Sequence, residues 1–207
     1  MNNKMTISTI TQKDRLKYKL DERFDMEQFD PIHSFLEEFC SKANIESYFE
    51  VGTSEGKSLK KVIQNSKNLK RAGSCDIWGT TDGGTGRGSH KHVADLVNSL
   101  GYKGEITFYD GNSHKILPTL MYHEDHFEKY DLIFVDGDHT LHGNRQDLIE
   151  CWQMVRPGGW IIFDDITHPR HLYLEEVFDI WVKENSQDIE EHGKYHMHHG
   201  FGVARKK

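Results

Sequence analysis

The chain has 207 residues and a formal net charge of −7 at neutral pH, which is enough sequence for one domain with a sizeable core. The acidic balance argues against a general nucleic-acid binder. No apolar run approaches the ~20 residues that span a bilayer, so we expect no membrane partner. The polar start, residues 1 to 14, does not predict a secretory signal. Three widely spaced cysteines predict buried free thiols, a reducing compartment and hence a cytoplasmic location.

The first part of the chain predicts an arm followed by a helix. Residues 1–25 carry no periodic pattern, and we interpret them as an N-terminal arm. We interpret residues 26–207 as a single domain. Apolar residues recur at helical spacing from Met26 to Phe39 and predict a helix over Pro31 to Lys42.

A strand, a glycine-containing turn and a helix follow in that order. Ser47 to Val51 predicts the strand, and Gly52 to Ser58 forms the turn into the helix. Backbone N–H groups at such a turn face a polar or anionic ligand. The two glycines, Gly52 and Gly56, match neither the dinucleotide fingerprint nor the phosphate-binding P-loop.

The middle of the chain continues the alternation of strands and helices. A second predicted strand ends near Asp76, about 25 positions beyond the glycine turn, where an acid can accept both hydroxyls of a ribose. Gly79 to Ser89 predicts a loop by its composition. A helix up to Leu100, a third strand over Glu105 to Tyr109 and a further helix that contains Pro118 come next.

Tyr130 to Ile166 predicts a strand–helix–strand unit. Its first apolar run stops at Asp136 and its second stops at Asp164-Asp165, while Pro157-Gly158-Gly159 is expected to end the intervening helix. A crossover of this kind makes the two strands parallel, so both acidic ends emerge at the same edge of the sheet. Ligands of open α/β sheets bind at that edge.

The last part of the chain predicts one more helix and a closing strand. Leu172 to Val182 is strongly apolar, and Gly200 to Arg205 has the pattern of a strand. The histidine-rich segment His192 to His199 favours a polar strand or loop at the sheet edge over a metal site. His114, His168 and His171 could also enter the pocket, although the sequence favours a structural or exposed role for each. The whole pattern is typical of a three-layer α/β domain.

Four segments, taken in order, resemble class I S-adenosylmethionine-dependent methyltransferases. Glu50 to Ser58 resembles their first motif, Asp76 lies where they place the ribose-binding acid, and Gly111-Asn112-Ser113 resembles the adenine-side motif. Asp131 to Asp165 is similar to the metal-binding half of the small-molecule O-methyltransferases, which include catechol and sugar enzymes. The resemblance implies a Rossmann-like fold with a mostly parallel seven-stranded sheet and an antiparallel last strand.

The resemblance also implies roles for individual residues. Asp136, Asp164 and Asp165 match the metal-ligand positions, for Mg²⁺ or Mn²⁺. His139 matches a catalytic base of related sugar enzymes, and Asp138 is the base in others. The implied cofactor-binding residues are Glu50, Gly52, Thr53, Ser54, Gly56, Ser58, Asp76, Asn112, Ser113, His114 and Asp136.

The implied activity is divalent-metal-assisted O-methylation of a small hydroxylated acceptor such as a sugar. A hard cation held by carboxylates lowers the pKa of an acceptor hydroxyl, which is a physical reason for the acidic strand ends. Two alternatives stay open. One is a nicotinamide-dependent Rossmann oxidoreductase, which the missing third glycine disfavours. The other is a non-catalytic domain that binds an adenosyl nucleoside without a metal. The sequence also leaves a homo-oligomer open.

Overall fold

The computed structural model describes residues 31–79, 86–122 and 129–207. The predicted N-terminal arm and residues 80–85 of the predicted glycine-rich loop lie outside these ranges. The described helices are α1 (Pro31–Lys42), α2 (Lys57–Asn65), α3 (His90–Ser99), α4 (Ser113–Tyr122), α5 (Leu141–Met154) and α6 (Tyr173–Glu184). The described strands are β1 (Ser47–Val51), β2 (Arg71–Asp76), β3 (Glu105–Asp110), β4 (Tyr130–Val135), β5 (Val155–Asp164), β6 (Ile189–Tyr195) and β7 (Phe201–Lys206).

These strands form one sheet of seven in the order β3-β2-β1-β4-β5-β7-β6. β1 pairs in parallel with β2 and β4, and the parallel pairing extends to β3 and β5. β7 runs antiparallel to both of its neighbours. The predicted Rossmann-like sheet with an antiparallel last strand is therefore confirmed. From β1 the chain adds β2 and β3 on one side of the sheet and then β4 and β5 on the other. Open α/β sheets bind ligands at the point where the strand order reverses in this way.

Two apolar layers cover the two faces of the sheet. On one face, Leu36 of α1, Leu59 of α2 and Val93 of α3 pack with one set of strand side chains. On the other, Leu117 of α4 and Leu148 of α5 pack with the opposite set, as does α6. All six residues of β4 are buried, as expected for a central parallel strand. The predicted three-layer α/β architecture is confirmed.

The end of helix α5 differs from the prediction. We expected Pro157-Gly158-Gly159 to end the helix, but α5 ends at Met154 and β5 begins at Val155. The register between β4 and β5 shifts from Tyr130–Val155 to Leu132–Trp160. The proline–glycine segment therefore forms an irregular start of the strand, in which Gly158 has φ +74°. Glycine is favoured both in a β-bulge and just after the end of a helix. The composition of this segment therefore does not distinguish an irregular strand start from a helix end.

Two further features of the described chain bear on its environment. Cys40, Cys75 and Cys151 are free and buried, as predicted. Cys40 belongs to the apolar layer of α1, and the other two belong to the opposite layer. None of the described helices is long and apolar enough to cross a membrane.

Candidate active site

A cleft of about 970 Å³ opens at the carboxyl ends of the central parallel strands. The residues that follow β1, β2, β4 and β5 all reach it, together with the start of α4 and the turn between β6 and β7. The predicted site residues that line it are Gly52, Ser54, Ser58, Asp76, Asn112, Ser113, His114, Asp136, Asp138, His139, Asp164 and Asp165. Glu50, Thr53 and Gly56 are not among the lining residues.

The turn after β1 needs glycine for two reasons. Gly52 has φ +86°, which L side chains rarely adopt, and a Cβ atom there would lie 1.8 Å from the backbone oxygen of Asp136. The turn is held to β2, because the Gly52 N–H donates to the Cys75 carbonyl at 2.9 Å. The turns after β1 and β4 are thus packed backbone against backbone, and this brings the two motifs to one cleft.

The predicted ribose acid joins the first two strand ends. One carboxylate oxygen of Asp76 accepts the backbone N–H of Ser54 at 2.7 Å, and the other accepts that of Trp78 at 2.6 Å. Across the cleft floor, Asn112 accepts the backbone N–H of His114 at 2.9 Å and so shapes the first turn of α4. These contacts fix one polar rim of the cleft.

Glu50 lies behind the cleft wall and is fully buried. One of its oxygens accepts hydrogen bonds from Tyr48 at 2.6 Å and Ser58 at 2.8 Å. Its other oxygen, Oε1, is buried and has no hydrogen-bond partner in the described chain. Burial raises the pKa of Glu50 to about 7, although the hydrogen bonds from Tyr48 and Ser58 oppose this shift. Thr53 is also buried and bonds to Ser74 at 2.6 Å.

The acidic strand ends and His139 converge at the other end of the cleft. The Nε2 atom of His139 lies 3.3 Å from Asp136 Oδ1 and 3.0 Å from Asp165 Oδ2. Hydrogen bonds to Asp136 and then to Asp165 raise the pKa of His139 to about 10, against the effect of burial. Burial acts to raise the pKa of Asp165, but the hydrogen bond and charge of His139, together with His199 and His168, outweigh it and the pKa falls. In this arrangement an imidazolium cation bridges two carboxylates.

Ligand atoms of Asp136, His139 and Asp165 all lie within 4.8 Å of one another, close enough to hold one metal ion. Two of the three predicted metal ligands are thus brought together, with His139 as the third member. Asp164 also lines the cleft, and one of its oxygens accepts the backbone N–H of Asp165 at 2.9 Å. Asp164 is outside the metal-capable groups found among the described residues.

Asp138, the alternative base, has its carboxylate next to Thr140 and His114. Its Oδ1 accepts the backbone N–H of Thr140 at 2.8 Å, and its Oδ2 lies 3.9 Å from His114 Nε2. The buried carboxylate of Asp147 lies behind it and is 3.3 Å from the same nitrogen of His114. The sequence analysis missed Asp147. Its position was detectable, because Asn144, Asp147, Leu148 and Cys151 share the helical spacing of a buried stripe.

Several histidines line the acidic end, and here the structure corrects our expectation. The sequence favoured a structural or exposed role for His168 and His171 and left open that they enter the pocket; both line the cleft. His168 is only 8% exposed. Burial lowers the pKa of both residues, so they stay neutral at neutral pH. The predicted edge strand is confirmed as β6, but His198 and His199 beyond it also reach the cleft.

The fold and the cleft together define a Rossmann-like class I methyltransferase architecture with an acidic end and a glycine-turn end. The model of a family described as a methyltransferase domain matches residues 49–166. The chain therefore belongs to this methyltransferase-domain family. No curated protein matches the chain at a significant level.

Solved structures with the same fold include two O-methyltransferases. One is from Bacillus cereus in complex with S-adenosylhomocysteine, with a TM-score of 0.64, 18% identity, and coverage of 86% of this chain and 82% of that one. The other is TomG from Streptomyces achromogenes, which is involved in tomaymycin synthesis and was solved with S-adenosylmethionine. TomG has a TM-score of 0.64 and 17% identity, over 86% of this chain and 80% of its own.

Proposed function

We propose that the protein is an S-adenosylmethionine-dependent O-methyltransferase that uses a divalent metal ion and acts on a small hydroxylated acceptor such as a sugar. The observation that carries the proposal is the convergence of the Asp136 and Asp165 carboxylates, with His139 between them, in the cleft that the glycine turn also lines. Both similar structures are described as O-methyltransferases, and one was solved with S-adenosylmethionine. The match to the methyltransferase-domain family argues against the alternative of a nicotinamide-dependent Rossmann oxidoreductase.

The residues of the glycine-turn end fit an adenosyl cofactor. The backbone at Gly52 and Ser54 lines the cleft, Ser58 starts the helix beside it, and Asp76 lies at the next strand end. Asn112, Ser113 and His114 would border the adenine. Glu50 would support the methionine end from behind, because its unpartnered oxygen is buried next to this turn. S-adenosylmethionine bound there would supply the methyl group.

The acidic end fits a hard divalent cation. Asp136 and Asp165 supply carboxylate oxygens, the ligands that Mg²⁺ and Mn²⁺ prefer, and Asp164 lies beside them in the cleft. A metal ion bound there would lower the pKa of an acceptor hydroxyl and hold it in place. The close approach of His139 to both carboxylates, which raises its pKa, supports a position that favours positive charge.

His139 is the proposed base, and its contacts with the carboxylates of Asp136 and Asp165 determine whether it can accept a proton. While it bridges Asp136 and Asp165 its pKa is about 10, so it is protonated at neutral pH and cannot accept a proton. If Asp136 and Asp165 held a cation, the contacts that raise the pKa of His139 would be weakened. The neutral imidazole would then be able to take the proton of an acceptor hydroxyl. Asp138 is the alternative base, and one of its carboxylate oxygens already accepts the backbone N–H of Thr140.

The test is calorimetric titration of metal-stripped protein with S-adenosylhomocysteine, repeated with Mg²⁺. We expect micromolar binding and a separate Mg²⁺ heat. Asp136→Ala and Asp164→Ala should lose the Mg²⁺ heat and metal-dependent turnover while keeping cofactor affinity. Asp95→Ala, at an exposed acid on α3 that pairs with Lys91, is the matched control and should behave as wild type.

Each outcome of that titration decides between named alternatives. Cofactor binding without Mg²⁺ binding would favour the non-catalytic adenosyl-nucleoside domain. Full activity of both variants in the presence of EDTA would refute the metal role but not methyl transfer. No S-adenosylhomocysteine binding under either condition would refute the proposed function.

We also infer a reducing cytoplasmic setting, which the three free buried cysteines support.

A further inference from the structure

The carboxylate of Asp165 faces two separate sets of ligands. Its Oδ2 lies 3.0 Å from His139, on the side of Asp136. Its Oδ1 lies 3.2 Å from Nδ1 of His199, on the opposite side. Ligand atoms of Asp165, His168 and His199 lie within 4.8 Å of one another and form a second group that could hold an ion. A carboxylate placed between two ligand sets is the arrangement that bridges paired metal ions, typically about 4 Å apart.

The backbone holds the second group in place before any ion binds. The loop after β5 pairs with the turn before β7, because the Thr167 N–H donates to the His199 carbonyl at 2.6 Å and the Ile166 N–H to that of Gly200 at 3.2 Å. Gly200 has φ +67°, and a Cβ atom there would lie 2.5 Å from the Thr167 side chain. The rings of His168 and His199 consequently meet edge to face, with their centroids 4.1 Å apart.

Asp165 itself supports this interpretation through its backbone. It has φ +61°, a left-handed conformation that is uncommon for a residue other than glycine. Such conformations persist where the surroundings impose them, and they cluster at ligand-binding sites. Here the conformation places the carboxylate between His139 and His199.

We propose that Asp165, His168 and His199 form a second metal position, selective for a first-row transition-metal dication such as Zn²⁺ or Fe²⁺ over Mg²⁺. Two imidazoles and one carboxylate are the donors that these metals favour, whereas Mg²⁺ favours oxygen donors alone. Three protein ligands leave coordination positions open toward the cleft, as in sites that bind a substrate or water.

An ion at this position would replace the contact between Nδ1 of His199 and Oδ1 of Asp165, and it would also change a hydrogen bond of His168. Nδ1 of His168 now accepts the backbone N–H of Arg170 at 3.1 Å. An ion at Nδ1 replaces this bond directly. An ion at Nε2 requires the ring proton to sit on Nδ1, which removes the same bond. At His168, either route exchanges a neutral hydrogen bond for a metal–nitrogen bond.

The test is a titration of chelator-treated full-length protein with Co²⁺, followed by its visible absorption. We expect two equivalents in wild type, and excess Mg²⁺ should displace only the one at Asp136. His199→Ala and His168→Ala should each lose one equivalent, or bind it more than about tenfold more weakly, and should keep the Mg²⁺-sensitive one. Asp136→Asn should show the reverse pattern.

The matched control is His192→Ala, an exposed histidine of the neighbouring strand β6 that does not line the cleft. It should bind as wild type and so accounts for Co²⁺ held by surface histidines. If either His199→Ala or His168→Ala binds Co²⁺ with the stoichiometry and affinity of wild type, the second position does not exist. His199→Asn replaces His199→Ala if the latter fails to fold. S-adenosylhomocysteine titrated into the same samples reports separately on the proposed function.

Discussion

The backbone N–H of Asp138 donates a hydrogen bond to Oδ2 of Asp147 at 3.3 Å, although Asp147 belongs to helix α5 and is fully buried. This contact ties the loop that carries Asp136 and His139 to the helix behind it. A Cβ atom at Gly137 would lie 2.8 Å from the same Asp147 oxygen, so the loop passes directly over the carboxylate. Asp147 is therefore placed to position the acidic end of the cleft without lining it.

We predict that Asp147→Asn weakens metal binding at Asp136 by about tenfold, the scale of an outer-shell loss. The amide preserves the size of the side chain but removes the charge that faces His114 and the Asp138 N–H. Titration of metal-stripped protein with Mg²⁺ measures the effect. Glu150→Gln, on the same helix and bonded to Gln146, is the control. Equal Mg²⁺ affinity in wild type and Asp147→Asn would show that Asp147 has no positioning role.

A second prediction concerns the protonation of His139. In metal-stripped protein its pKa should lie near 10, because Asp136 and Asp165 both accept from the ring. Asp136→Asn should lower this pKa toward the ordinary value of about 6.5, since it removes the largest contribution. NMR titration of the histidine ring protons, with His139→Ala to assign the resonance, measures it. A pKa near 6.5 in the wild type would show that the three-residue contact does not form in solution.

Glu50 makes stability depend on pH. Its folded pKa of about 7 lies above its ordinary value of 4.5, because burial disfavours the charged form. The folded state therefore binds the proton more tightly. The stabilisation is complete below pH 4.5 and is lost as the pH rises to about 7, at a total cost of about 3 kcal/mol.

The matched variant is Glu50→Gln, which does not titrate. We expect its free energy of unfolding, measured in urea between pH 4.5 and 8, to fall less with pH than that of wild type. Parallel curves for the two proteins would show that Glu50 keeps an ordinary pKa in the folded state.

The glycine turn gives a prediction with an internal control. Gly52→Ala should destabilise the fold and abolish S-adenosylhomocysteine binding, because its Cβ would meet the Asp136 backbone at 1.8 Å. Gly101→Ala has a similar backbone angle, φ +69°, but no atom within 4 Å of the added Cβ. It should cost only about 1 kcal/mol of backbone strain and leave binding intact. Thermal unfolding and calorimetry distinguish the two. Equal losses of stability and binding in the two variants would mean that backbone strain, and not the contact with Asp136, causes the effect of Gly52→Ala.

The sequence predicted the order of elements well because the central strands carry short apolar runs, clearest in β4 and β5, that stop at polar residues. It also predicted that the ends of β4 and β5 would meet, since the crossover rule fixes their direction. It did not predict the strand start at Val155, because the bulge is set by pairing with β4. His199 could not be placed either. Its approach to Asp165 depends on how β7 returns along β5, and no local pattern encodes that contact.

The three buried thiols provide reporters of opening in the two apolar layers. Burial raises the pKa of Cys40 to about 11 and that of Cys75 to about 12, so neither is a reactive thiolate while folded. Cys40 lies in the layer of α1, while Cys75 and Cys151 lie in the layer of α4 to α6. The rate at which a thiol reagent modifies each cysteine therefore measures how often its own side of the sheet opens. The protein thus carries natural labels for mapping its cooperative unfolding units without any introduced residue.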